Sequence, residues 1–470
     1  MTMIPRLGLS TLGAGSEPSA AALALLAGLA HKDLRVQHFR TLACPMSTEF
    51  VCQATGLPGR HLDSWLMPDM LCRSVFARGA AGCDLAVVEG MRDPMIKPCL
   101  PIGRDRRGPL GQIAEALDLP IIAVVSCRGM GDDSFHLPCL PEGAVAILLD
   151  EVDDPAQAAG LKRLARLATD LPVIGAIEWL PQVRSVLAEL TCERFLPQDV
   201  VDRLARSFLD HADVGAITEI SRRNPMPEWF DESALPDRSS RRGGFRVAYA
   251  SDEIFGRYFP DTIDALEGLG AELVEFSPLR DESLPPNVDL VMIGCGFPDL
   301  MLDELASNFS MTTALRAHVC RGRRIYSEGG GTAYLGRTMI VGGRSVPGAG
   351  ILPFHAELIP NHGSPTPVVR TLLSDCWLGP RGTTVRGYRT PRWRLTPSTE
   401  GLDCPACHGV LSAEGDWFFH HHAVGSLLHL YLPALPEVVS AFADPHPPSL
   451  RRPLSTRSTH GDQDSARERK

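Results

Sequence analysis

The sequence predicts an α/β protein built from two parallel-sheet domains. Three observations carry that expectation. Short apolar runs end at glycines or acidic residues, helix-like stretches separate them, and a segment rich in Pro, Ser, Arg and Gly at 221–244 divides the chain. A chain of 470 residues is long enough for two or three domains. The expected division is a first domain at 1–220, a linker at 221–244, a second domain at 245–443 and a disordered charged tail at 444–470.

The first run, residues 4–12, reads as a strand, followed by the loop Gly13-Ala14-Gly15-Ser16-Glu17-Pro18 and an Ala/Leu-rich helix at 19–31. Strand, glycine loop and helix is the layout of a phosphate-binding loop. Such a loop also needs a lysine on the phosphates and a hydroxyl on magnesium. This loop has no lysine, and Glu17 brings negative charge to the helix start. Two readings stand: a structural turn, or an anion site made by the backbone N–H groups around Gly13 and Gly15. Further strands are expected at 34–39, at 84–90, where Glu89 closes the run, and at 119–126, 144–149 and 171–177, with a helix at 156–169. An acid at the end of a strand, as Glu89 is, can hold magnesium in a nucleotide-binding fold or simply face water.

In the second half, strands are expected at 245–250, 271–276, 288–293 and 324–327, with helices at 258–269 and 302–319. Two glycine clusters, Gly294-Cys295-Gly296 and Gly329-Gly330-Gly331, follow strand ends, where a parallel sheet places its ligands. From 336 to 400 the helical pattern gives way to Gly- and Pro-rich, β-like segments.

Net charge of −10 gives no global basic field for nucleic acid, and no apolar run approaches the roughly 20 residues of a membrane span. Thirteen scattered cysteines in a chain this large read as reduced thiols, and a cytoplasmic location is expected. Cys404, Cys407 and His408, with His420, His421 and His422 beyond them, have a spacing that can form a tetrahedral zinc site. The competing readings are ordinary thiols beside a histidine-rich turn, a redox dithiol, or an axial histidine for a metallated tetrapyrrole.

Residues 33–40, 54–65 and 87–90, then 270–279, 294–300 and 325–331, together resemble cobyrinic acid or hydrogenobyrinic acid a,c-diamide synthases, over the chain to about 443. The resemblance implies a P-loop NTPase-like synthetase domain joined to a class I glutaminase-like domain. It implies Mg-ATP activation of tetrapyrrole carboxylates and nitrogen from glutamine. It also puts reactive positions on unreactive residues. The nucleophile position falls on Gly329, the glutaminase histidine on the stretch around Tyr388, the phosphate lysine on Ser16 and the magnesium hydroxyl on Glu17, while Arg40 replaces a second lysine. Cys295 reads as part of the oxyanion-hole segment or, alternatively, as a relocated nucleophile, and His429 as a structural or glutaminase-region remnant.

The expected function is therefore a non-catalytic homologue, lacking glutaminase and ligase activity and not binding Mg-ATP. It would bind a tetrapyrrole, a protein partner or a second copy of itself. The alternatives are an active ATP-dependent amidotransferase or ligase on a corrin-type carboxylate, or a metal-dependent enzyme using residues 404–422.

Overall fold

A computed structural model describes residues 4–11, 19–43, 48–91, 108–131, 134–189, 196–224, 244–360, 365–398, 408–410 and 414–444. The first domain is a seven-stranded parallel sheet. Its strands are β1 (Arg6–Thr11), β2 (Val36–Arg40), β3 (Arg60–His61), β4 (Leu85–Met91), β5 (Ile121–Ser126), β6 (Ala144–Val152) and β7 (Val173–Glu178), in the order β3-β2-β4-β1-β5-β6-β7. The helix Ala20–Ala30 is apolar nearly all round because it is covered on both sides. Ser19 caps it, its hydroxyl accepting the Ala22 N–H. It lies against the helix Gln198–Leu209 so closely that a Cβ on Gly28 would sit 2.4 Å from the Phe208 ring.

The second domain carries β8 (Arg246–Ala250), β9 (Phe255–Arg257), β10 (Glu272–Phe276), β11 (Leu290–Ile293), β12 (Cys295–Gly296) and β13 (Arg324–Glu328). Six strands elaborate it: β14 (Thr338–Val341), β15 (Arg344–Pro347), β16 (Phe354–Leu358), β17 (Thr366–Thr371), β18 (Thr384–Arg389) and β19 (Trp393–Pro397). Last come β20 (His408–Val410), β21 (Trp417–His420), β22 (Ala423–Ser426) and β23 (Leu428–Leu430). Its main sheet runs β10-β8-β11-β13-β22-β21-β20. The expected all-parallel sheet is here mixed. A two-residue hairpin at His421 and His422 reverses the chain between β21 and β22, and β20 pairs antiparallel with β21 at the edge. The helix expected at 302–319 is two helices, Leu302–Ser307 and Phe309–Cys320, because Asn308 leaves helical geometry and its side chain caps the second. The expected linker lies, over 225–243, outside the described residues, as does the tail from 445.

The two sheets share a core. Phe259, Tyr388 and Tyr431 of the second domain pack with Phe39, Leu62 and Phe76 of the first. Arg60 on β3 forms ion pairs with Asp261, which is fully buried, and with Asp264 (2.8 Å), both on the helix Pro260–Gly268. The Tyr388 hydroxyl donates to Asp63 (2.6 Å). An Asp261→Ala substitution removes a charge-assisted contact across this seam and should cost roughly 1.5–3 kcal/mol, read as a lower urea midpoint at unchanged slope.

Candidate active site in the second domain

Three strand ends converge. The chain leaves β11 through Gly294 to Cys295, β13 through Glu328 to Gly329, and β22 through Ser426 into β23, which carries His429. The Cys295 thiol lies 3.7 Å from His429 Nε2, and His429 Nδ1 lies 3.4 Å from Glu328 Oε2. Glu328 is itself fixed: its Oε1 accepts the Tyr326 hydroxyl (2.5 Å) and the Leu430 N–H (3.2 Å). Thr390 Oγ1 stands 3.1 Å from His429 Nε2. Thiol, imidazole and carboxylate thus form a row, each oriented by the next.

Gly329 occupies the turn between them. Its φ of +52° is a conformation that side chains rarely adopt. A Cβ built there would stand 2.9 Å from the Cys295 sulfur and 3.0 Å from His429 Cε1. The sulfur therefore crowds the space that a side chain at 329 would take. Gly330 and Gly331 are needed for a different reason: Cβ atoms there would lie 2.1 Å from the Gly296 carbonyl oxygen and 2.3 Å from that of Ile293. Replacing Gly329 by alanine should destabilise the fold by about 1–3 kcal/mol, through backbone strain and collision with the sulfur. Chemical denaturation of the variant checks this.

The electrostatics favour a charged pair. Burial alone would raise the Cys295 thiol, but the His429 ring and the Gly330 N–H outweigh it and hold the thiol below its usual value. Burial would likewise depress His429, yet Cys295 and Glu328 hold the imidazole well above its usual range. The two shifts run in the senses that favour a thiolate facing an imidazolium, a nucleophile beside a general acid.

The other expected site residues lie elsewhere. Tyr388 is directed at Asp63 across the domain seam; the imidazole beside position 329 is His429, whose strand β23 pairs with β18 so that Tyr388 and His429 are in register. His429, expected as a remnant, is placed between Cys295 and Glu328, and Cys295 faces that imidazole from the strand end where the sequence had placed it. Thr390 was not anticipated. Cys404 and Cys407 lie outside the described residues, as do Gly13, Gly15, Ser16 and Glu17. His408 pairs in register with His420, whose Nδ1–H donates to the Ile351 carbonyl (2.8 Å). His421 forms the hairpin turn with positive φ, and burial, then His421, depresses the half-buried His422. Among the described residues, no three His, Cys, Asp or Glu side chains are grouped to hold a metal ion.

In the first domain, Glu89 is 1% exposed and spent on internal partners. Its Oε1 accepts the Ser19 N–H (2.9 Å); its Oε2 meets His38 Nε2 (3.1 Å) and lies 3.8 Å from Arg40. Burial opposes ionisation, but Arg40 and then His38 prevail and hold the carboxyl down at about 2.

Residues 246–389 match the CobB/CobQ-like glutamine amidotransferase domain. The chain is 30% identical over 370 residues to the cobyrinate a,c-diamide synthase of Salmonella typhimurium, a match that covers 74% of this chain and 77% of that one. The chain belongs to the cobyrinate a,c-diamide synthase family. Family members of the same name from Magnetococcus marinus (29% over 375 residues; 76% of this chain, 78% of that one) and Listeria monocytogenes serotype 4b (26% over 448; 89% and 96%) match at similar levels. The described residues contain no helix long and apolar enough to cross a membrane.

Proposed function

We propose that the chain works in amide-nitrogen transfer to a carboxylate of a cobyrinate-type tetrapyrrole, with its second domain releasing nitrogen from a carboxamide such as that of glutamine. The observation that carries this reading is the His429–Glu328 pair, set at the strand ends beside a thiol. An imidazole oriented by a carboxylate can give a proton to a leaving nitrogen and take one from water. The substrate class rests on family membership alone.

The family implies Mg-ATP for the first domain. Magnesium takes oxygen ligands in near-octahedral geometry. Both oxygens of Glu89 are engaged, and the Arg40 guanidinium beside them repels a further cation. The described residues are a poor fit to the ion, and the proposed steps are confined to nitrogen release in the second domain, the carboxylate's activation being implied by the family alone.

A second reading, a tetrapyrrole- or partner-binding subunit without catalysis, is favoured by the glycine at 329. Ammonia release separates the two. The purified full chain, given glutamine with and without a cobyrinate-type acid, should yield glutamate and ammonia in equal amounts. No ammonia under either condition would leave only the binding subunit.

A further inference from the structure

We infer that Cys295, on the neighbouring strand end, is the nucleophile of this domain and takes the place that a side chain at position 329 would otherwise fill. The assignment rests on the amide-hydrolysis reading above and names the group that attacks. Three independent features of the geometry converge on it. The sulfur stands 2.9 Å from where a Cβ on Gly329 would sit and so crowds that position. It faces the imidazole nitrogen opposite the one directed at Glu328. It is held by the backbone of β12, whose pairing with β9 fixes the strand end. The depressed thiol and the raised imidazole agree with this geometry.

The steps balance without a further reactant. The Cys295 sulfur attacks the carboxamide carbon, forming an S–C bond and moving the carbonyl electron pair onto oxygen. Collapse breaks the C–N bond, and His429 Nε2 gives its proton to the departing nitrogen, which leaves as ammonia. Water then attacks the acyl thioester and passes a proton back to His429. The S–C bond breaks, releasing a carboxylic acid, which ionises in water, and restoring the thiolate–imidazolium pair. The sum is amide plus water to acid plus ammonia.

Moving the nucleophile from 329 to 295 also changes the role of the Gly330 N–H. It supports the thiolate in the resting site and loses that role as attack carries the negative charge from sulfur to the substrate oxygen.

The test uses the full chain, limiting iodoacetamide at pH 6.5 and peptide mass spectrometry. Cys139 and Cys320 are exposed and serve as internal references. Cys295, although only 3% exposed, should be alkylated at least about tenfold faster than either, because the thiolate is the reacting form. His429→Gln should abolish that advantage while leaving the two references unchanged. A Cys295 that reacts no faster than the references, or equally fast without His429, overturns the assignment. Glutamine hydrolysis by a folded Cys295→Ser variant at the wild-type rate would also overturn it while leaving the amide-hydrolysis reading intact. Rapid, His429-dependent alkylation with no glutamine turnover would do the reverse: the activated thiol stands and glutamine falls as its substrate.

Discussion

Carboxamide turnover should fall by roughly 10²–10⁴-fold in a His429→Gln variant, the range that one positioned acid–base group supplies. The loss should appear in kcat, with KM little changed, because His429 acts on the leaving nitrogen and on water and not on the ground-state amide. Glutamine at 429 keeps a polar group in a buried site beside Thr390 and Glu328, so the fold should survive. The pH profile carries the sign of the pair. Below the depressed thiol value the sulfur is protonated and activity falls; above the raised imidazole value the proton for ammonia is lost and activity falls again. The acid limb should therefore lie below the roughly 8.5 at which an ordinary thiol titrates. Steady-state kinetics from pH 5 to 10 test both limbs.

The second large effect belongs to Glu89. Its replacement by glutamine takes the carboxylate away from buried Arg40 and His38 and should destabilise the protein by about 3–5 kcal/mol, the usual cost of breaking a buried ion pair from one side. The double variant Glu89→Gln with Arg40→Met should recover much of that loss, since the buried charge goes too. The pH dependence follows from the depressed carboxyl. Its stabilising contribution is complete above the ordinary glutamate value of about 4.3 and is lost as pH falls toward about 2. Urea unfolding at pH 7 and at pH 3 should show the Glu89→Gln variant losing less at the lower pH. A loss independent of pH would contradict the pairing.

Several strands of the parallel sheets were legible, although β22, buried and parallel to β13, was not. The runs at 84–90, 119–126 and 324–327 all appear within a residue or two, because such strands are apolar without alternation. The antiparallel edge was not legible. Its turn is made of two histidines, one with positive φ, in place of the glycine or asparagine that announces a hairpin. The site was half legible. Glycines at strand ends marked the region where the thiol, imidazole and carboxylate meet, with Cys295 inside one cluster and Glu328 beside the other. His429 was a single polar residue between Leu428 and Leu430, which periodicity cannot tell from a buried structural histidine. What joined it to Cys295 is the crossing from β22 to β23, a contact across 134 residues of chain. Glycine stands where a nucleophile was expected, and Cys295 was an alternative that spacing alone does not join to His429. Only three-dimensional packing brings a sulfur from the next strand into the same space.

The account turns on whether an acyl group passes through Cys295. The most direct measurement is to mix the purified full chain with glutamine, quench in acid within the first turnovers, and read the peptide containing Cys295 by mass spectrometry. The account predicts a glutamyl adduct on that cysteine, removed by hydroxylamine and absent from the His429→Gln variant. Glutamine consumed while Cys295 stays unmodified, or no consumption at all, would contradict it.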